Sequence, residues 1–330
     1  MKVLVVTNMY PTDDDPSRGC FVKEQIDSIL ERGVDCDTYF IKGRESRWNY
    51  IRAIWPIFKA SISGGYDLIH AHYGLSAIPA RVQWKLPLII SFCGDDILGS
   101  PKKNGHPTKL SLFICLISRI LARQSAGVIV KSKEMLKKVP DSCSTKIIPN
   151  GVDFDLFKPI PKQKARSQLG LESTKNYILF ANDPKIIVKR FQLAKKAVDI
   201  LCNDFKKCEL LTIFGKRREE VCLYMNASDC LVLTSFHEGS PNVIKEAMAC
   251  NLPIVSVDVG DVKEIINGTE NCYISKGDPL EIAQSVTKIL SNGGRSNGRQ
   301  HISSLEISKV AQKVIQHYEA ILEKYHNSKK

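Results

Sequence analysis

Short apolar runs rich in β-branched residues recur along this 330-residue chain, separated by longer stretches whose apolar positions fall three and four apart. The first pattern predicts buried strands over 2–7, 34–41, 67–72, 88–90, 127–131, 146–148, 177–181, 210–214, 231–234 and 254–257. The second predicts helices over 20–32, 108–124, 242–249 and 304–325, with Gly33 closing the first of them. Strands that alternate with helices argue for an α/β architecture built on parallel sheets. The length provides for two domains, each large enough for its own core.

The densest chemistry lies in 231–260, LVLTSFHEGSPNVIKEAMACNLPIVSVDVG. Strand, polar loop, short helix and second strand form a right-handed βαβ unit. Its ligand site falls where the strand's carboxyl end meets the helix's amino end. Backbone N–H groups in a first helical turn are unpaired and partly positive, which suits a phosphate. Gly239 lets backbone approach a ligand, and Pro241 fits a first-turn position because it has no N–H to orphan. Glu238 stands just before this anion site. Glu246, on the second turn, leans back toward it. Two carboxylates beside a phosphate cradle match a ligand that carries both phosphates and hydroxyls, as a nucleotide sugar does.

The run Glu238-GSPNVIK-Glu246, with LPIVSVDVGDVKEII after it, resembles the Glu-x7-Glu signature of the retaining family-4 glycosyltransferases. That family has the GT-B fold, two Rossmann-like βαβ domains facing each other across a cleft. The resemblance implies an acceptor-side domain over 1–157 and a donor domain over 158–303, with Pro159, Pro161 and nearby lysines as linker. The helix over about 304–325 is then expected to pack back on the first domain. It further implies that Glu238 contacts the donor sugar and Glu246 holds the ribose hydroxyls. The stretch Gly239, Ser240, Pro241, Asn242 and Val243 lines the donor through its backbone. Gly19 belongs to a first loop over the donor diphosphate, and Gly215 lies near the nucleotide base. Lys189 matches a lysine that clamps the donor phosphates. The family's companion arginine is absent, and Lys185 is the nearest substitute, a point charge without a bidentate fork.

In the first half, His70 and His72 are two apart on a strand and so face one side. The segment His70-Ala71-His72-Tyr73-Gly74 resembles the family's His-Ala-His-x-Gly turn, which makes His72 a catalytic candidate and Tyr73 an acceptor-side one. The alternative is a hydrogen-bonded structural histidine. Cys93 stands where relatives often have a histidine near the reacting sugar. Asp95 and Asp96 are acceptor-side candidates, or only a cap on the next turn. GT-B enzymes generally work without a metal at such an acidic pair, so no metal and no cofactor is expected.

Lysine and arginine exceed acidic residues by 12 charges, which fits an anionic partner. No helix-turn-helix, zinc-finger or RNA-recognition pattern is present, so nucleic acid is not expected. No Gly-x-Gly-x-x-Gly accompanies the first strand, which counts against a nicotinamide enzyme. The basic and aromatic segment 44–59, with Arg44, Arg47, Trp48, Arg52 and Trp55, has two readings. It rests on an anionic membrane surface, or its aromatics pack inward and its arginines are solvated. No apolar run reaches the ~20 residues that cross a bilayer, and the amino terminus reads as a strand rather than a signal peptide. The eleven scattered cysteines, without a Cys-x-x-Cys pair, read as reduced core residues. These features point to a cytoplasmic protein, peripheral at the inner face of the membrane in the first reading.

The expected function is metal-independent, retaining transfer of a hexosyl group from a nucleotide-diphosphate sugar to a glycan acceptor, in bacterial surface polysaccharide biosynthesis. A lipid-linked acceptor would bring the enzyme to the membrane. The alternatives are a sugar-nucleotide epimerase on a similar scaffold and a non-catalytic basic binding protein.

Overall fold

A computed structural model describes residues 1–100, 107–204 and 207–328. The chain divides into two compact units. One comprises Met1–Asp13, Arg18–Gly151 and Ile307–Lys330; the other comprises Asp14–Ser17 and Val152–Glu306.

The first unit carries β1 (Lys2–Thr7), β2 (Asp35–Phe40), β3 (Leu68–His72), β4 (Leu88–Ser91), β5 (Gly127–Val130) and β6 (Thr145–Ile147). They pair in parallel in the order β2-β1-β3-β4-β5-β6. Side chains alternate across a strand, so each strand feeds two cores. Leu4, Val6, Ile69, Ala71 and Ile90 join the core beneath the helices Ile54–Ser63, Ala77–Arg81 and Lys109–Arg123. Val3, Val5, Leu68 and Ile89 join the core beneath Cys20–Leu30 and Ile307–Asn327. The second of these helices comes from the far end of the chain, through Val310, Val314, Tyr318 and Ile321. Gly127 admits it, because a Cβ there would lie 2.9 Å from Ile321 Cδ1.

The second unit carries β7 (Asn176–Phe180), β8 (Cys208–Thr212), β9 (Cys230–Leu233), β10 (Ile254–Val257) and β11 (Cys272–Ser275), all parallel. Their order is β11-β10-β9-β7-β8. The chain leaves β7 for one edge, then returns to add β9 on the other side of β7. Crossovers on either side of that reversal leave a crevice outside the carboxyl ends of β7 and β9, the usual ligand position in an open α/β sheet.

Three boundaries differ from the sequence reading. Residues 152–157 belong to the second unit: Phe157 is fully buried in its core, and its carbonyl accepts from Arg299 at 2.6 Å. The lysine-rich stretch after Pro161 is the helix Lys162–Leu169 rather than linker, anchored by buried Arg166, which donates to Asp229 at 2.8 Å. β11 and the helix Pro279–Asn292 lay outside the predicted elements. The strand is four mostly half-buried residues, too short for its alternation to stand out, whereas the helix carried a readable start in Asp278 and Pro279.

Candidate functional site

The loops that leave β7 and β9 are tied to each other. The Thr234 hydroxyl donates to the Lys189 carbonyl at 2.8 Å, and the Phe236 N–H donates to the Val188 carbonyl at 2.8 Å. This brings Lys189 Nζ to 2.6 Å from Glu238 Oε1, with the two side chains 22% and 14% exposed. Two residues far apart in sequence thus form one charged pair at the strand ends. Beside them Arg190 adopts φ +50 and lays its guanidinium 4.6 Å from the Phe236 ring centre. A bulky residue in left-handed backbone stores strain that the surroundings must hold.

The helix Asn242–Ala249 starts immediately after this loop, with Pro241 at its N-cap rather than in its first turn. Asn242 and Val243 therefore open the helix, half-buried, as the phosphate-cradle reading places them. Ser240 is different. Its hydroxyl donates to Asp261 Oδ2 at 2.6 Å and accepts from the fully buried Lys245 at 3.0 Å, so this side chain is committed to the fold. Asp261 has its carboxyl raised by burial, with the Lys245 charge working the other way. Gly260 presses from the same side: its φ is +57, and a Cβ would sit 2.8 Å from the carbonyl oxygens of both Glu238 and Gly239. The backbone of the Glu238 loop is therefore clamped from below.

Glu246 is buried and ion-paired with Arg218, the first residue of the helix Arg218–Ala227. The Arg218 guanidinium also lies 4.6 Å from the Phe157 ring centre. The sequence points to Gly215 in this loop and does not single out Arg218. A signal was present: a cation in a first helical turn opposes the helix dipole, so its charge is expected to be used elsewhere. Gly215 takes φ +64 at the exit from β8, with open space where a Cβ would be. Lys185 is exposed, and among the described residues its side chain has no ion pair; its backbone N–H is held by Asp183 Oδ1 at 2.9 Å.

In the first unit the picture corrects two candidates. His72 is fully buried and packs against the tilted His70 ring, with ring centres 4.2 Å apart. Burial, aided by the Lys131 charge, lowers its pKa to about 3, too weak a base for proton transfer near neutrality. His72 thus lies inside the fold, and among the described residues its Nδ1 is buried without a hydrogen-bond partner. Its neighbour His70 is a structural histidine, held by the Tyr318 hydroxyl at 2.6 Å and the Ser91 hydroxyl at 2.7 Å. Asp96 is likewise inside: its carboxylate accepts from the N–H groups of Cys93, Gly94 and Gly74 at 2.9–3.0 Å. Burial raises its pKa to about 6 against those three donors. It knits the strand ends together and does not present itself to an acceptor.

Asp95 and Tyr73 remain at the surface of this region. Asp95 is exposed and accepts from the Ser100 hydroxyl at 3.0 Å. Tyr73 is half-buried with φ +77, and burial pushes its phenol up. Among the described residues four non-glycines have positive φ, and two are asparagines just before strands, where that conformation is tolerated. The other two are Tyr73, directly after β3, and Arg190, at the end of the loop after β7 and just before the helix Phe191–Asp204. Gly19 serves the loop after β1: it caps a helix at φ +65, and a Cβ would lie 2.4 Å from the Met9 carbonyl carbon. Lys131, not singled out in the sequence, is fully buried at the end of β5, where burial lowers its pKa to about 8. Among the described residues no group of three or more His, Cys, Asp or Glu is placed to hold a metal.

Comparison with known proteins bears on the family and the fold. Residues 1–156 match the family model described as Glycosyltransferase Family 4, and residues 195–292 match the one described as Glycosyl transferases group 1. The teichuronic acid biosynthesis protein TuaC of Bacillus subtilis, named as a glycosyltransferase, is 22% identical over 87% of this chain and 89% of its own. A D-inositol 3-phosphate glycosyltransferase of Thermobispora bispora is 22% identical over 80% of this chain and 73% of its own. Among solved structures, sucrose-phosphate synthase from Thermosynechococcus elongatus superposes with a TM-score of 0.79 at 17% identity, over 98% of this chain and 99% of that one. Anabaena HepE in complex with UDP and glucose superposes with a TM-score of 0.71 at 17% identity, over 97% of this chain and 100% of that one. The chain is a glycosyltransferase of the GT-B fold, belonging to the group 1/family 4 type.

Proposed function

We propose that this enzyme moves a sugar from a nucleotide-diphosphate donor to a glycan acceptor, with retention at the anomeric carbon and without a metal. The observation that carries the reading is the Lys189–Glu238 pair at the ends of β7 and β9, with Glu246 beside it on the following helix. HepE, of the same fold, was solved with UDP and glucose, which supports a nucleotide sugar as donor. TuaC, named for teichuronic acid biosynthesis, supports a cell-surface glycan as product.

Cleavage of the donor leaves negative charge on the diphosphate and positive character on the sugar. Lys189 and the amino terminus of Asn242–Ala249 stabilise the departing phosphates, so no metal is required for that charge. Donor phosphates compete with Glu238 for the Lys189 ammonium. Their arrival frees a Glu238 oxygen to accept a sugar hydroxyl, which turns the anomeric carbon toward the acceptor. Glu246, held by Arg218, accepts from the ribose hydroxyls. Lys185, exposed on the loop after β7, adds a charge where the phosphates enter. Tyr73 and Asp95, at the strand ends of the first unit, engage the acceptor. That acceptor is a glycan on a lipid carrier, which places the enzyme at the inner face of the membrane. No helix among the described residues is long and apolar enough to cross it.

The test is a panel of nucleotide sugars incubated with and without acceptor glycan, with the product's anomeric configuration read by NMR. Retention, with turnover unchanged by chelator, is expected. An inverted product, a requirement for added magnesium, or donor converted to an epimer without acceptor would each overturn the corresponding part.

A further inference from the structure

We propose that Asp261 and Lys245 are positioning residues for the donor, acting through the Ser240 hydroxyl that they hold from two sides. The inference rests on the nucleotide-sugar reading and adds a layer beneath its phosphate cradle. Neither residue touches the ligand; together they set the direction of the backbone around Pro241.

Three elements meet at that hydroxyl. Ser240 lies in the loop after β9, Lys245 in the helix Asn242–Ala249, and Asp261 just before the helix Val262–Ile266 that follows β10. Ser240 Oγ donates to Asp261 Oδ2 at 2.6 Å and accepts from Lys245 Nζ at 3.0 Å. A hydroxyl has one proton to give, so the first contact fixes its rotor and the second occupies a lone pair. Asp261 stands at the N-cap of its own helix yet makes no side-chain cap there. Its carboxylate is turned to the neighbouring loop instead. Gly260, one residue earlier, packs against the Glu238 and Gly239 carbonyls. The loop after β10 thus holds the Glu238–Ser240 segment by its backbone and by its last side chain.

Stability alone gives no reason for charges here. Lys245 is fully buried and Asp261 is 7% exposed. Buried charges gain little over packed apolar residues of the same volume, because desolvation offsets their attraction. What such a network fixes is a direction, since hydrogen bonds are angular and apolar contacts are not. Direction matters at this place. Pro241 has no N–H, so a phosphate at the start of Asn242–Ala249 meets the peptides on either side of it. Backbone donors stabilise a developing charge best when they already point at it.

Replacing the whole network by apolar side chains separates holding the fold from aiming the backbone. Ser240→Ala, Lys245→Met and Asp261→Leu combined should keep the thermal midpoint near that of the wild type, because no buried polar group loses its partner. Calorimetry of the full chain with UDP, GDP, ADP and dTDP, each beside its nucleoside, first finds the base that the wild type binds. The triple variant should then bind that diphosphate about tenfold more weakly and the nucleoside equally well, and transfer at saturating donor should fall by about tenfold. Ser240→Ala alone removes one oxygen atom and should show the same split, which decides the matter if the triple variant does not fold. Wild-type diphosphate affinity and transfer in Ser240→Ala overturn the proposal. So do nucleoside and diphosphate affinities that fall in parallel, the mark of a merely loosened domain. A wild type that binds none of the four diphosphates overturns instead the donor reading on which the proposal stands.

Discussion

Lys189 Nζ lies 2.6 Å from Glu238 Oε1, joining the loop after β7 to the loop after β9 by a charge pair that water reaches only in part. Each group is therefore placed by the other before any ligand arrives. Glu238→Gln should lower transfer by about 10²–10³, the scale of losing one preorganised electrostatic contact. Lys189→Ala should weaken donor binding and also slow transfer, since it frees Glu238 to move. The double variant should be no worse than the more damaged single one, because interacting residues do not add. Initial rates with saturating donor decide it; wild-type transfer by Glu238→Gln would remove that residue from the chemistry.

Arg218 is expected to act through Glu246. Its guanidinium is fixed between that carboxylate and the Phe157 ring, so Arg218→Ala leaves a buried carboxylate without its cation. Nucleotide affinity should fall by about tenfold, in keeping with loss of one charged contact. Glu246→Ala should lose a similar amount, and the pair together little more. Titration calorimetry with a nucleoside diphosphate measures all three, and strictly additive losses would show that the two act independently.

Gly260→Ala tests the clamp under the Glu238 loop. The new methyl group would meet two carbonyl oxygens at 2.8 Å in left-handed backbone, so the loop must shift. A loss of about 1–3 kcal/mol in unfolding free energy is expected, with a larger proportional loss in transfer than in stability. Urea denaturation and rate measurements on the same preparation separate the two. Unchanged transfer would mean the loop's position is not critical.

The buried histidines set an acid limit. Burial holds His72 down to about 3 and His70 well below its usual value, whereas both return to about 6.5 in the unfolded chain. Between these values the unfolded chain binds protons that the native one refuses. The stabilisation is complete above about pH 6.5 and is lost as pH falls, by up to about 1.4 kcal/mol per pH unit for each ring. Asp96 works in the opposite sense. Raised to about 6, it holds a proton in the fold that the unfolded chain has shed, so its contribution weakens as pH rises from about 4 to 6. Urea titrations from pH 4.5 to 7.5 should therefore show a shallower slope in His72→Gln and a steeper one in Asp96→Asn, each estimated at about 1 kcal/mol per unit. Identical slopes would mean that these groups titrate alike in both states.

Much of the donor unit was legible because its cues are local. The apolar run of β9, the polar loop and the helix after Pro241 follow one another in a single stretch, and spacing alone puts Glu238 and Glu246 beside one helix terminus. Lys189 was legible by its distance from the helix that follows. Arg218 was not, since its partner lies 28 residues on and only the packing of two helices brings them together. His72 looked available for the same reason: alternation says which side a strand residue faces, not whether that side is covered. Asp96 likewise is an exposed cap or a buried knot depending on what lies over it.

By itself the sequence determined the alternation of strands and helices that makes the α/β class, the family, and the short-range geometry of the Glu238–Glu246 stretch, because periodicity and turn chemistry act over a few residues. Tertiary structure decided burial and partnership. It turned His72 and Asp96 inward, committed the Ser240 hydroxyl to Asp261, gave Glu246 to Arg218, and buried Leu121 of Lys109–Arg123 while leaving Leu112, Phe113 and Leu116 exposed. Such outcomes depend on contacts between residues distant in the chain, which a one-dimensional pattern does not encode.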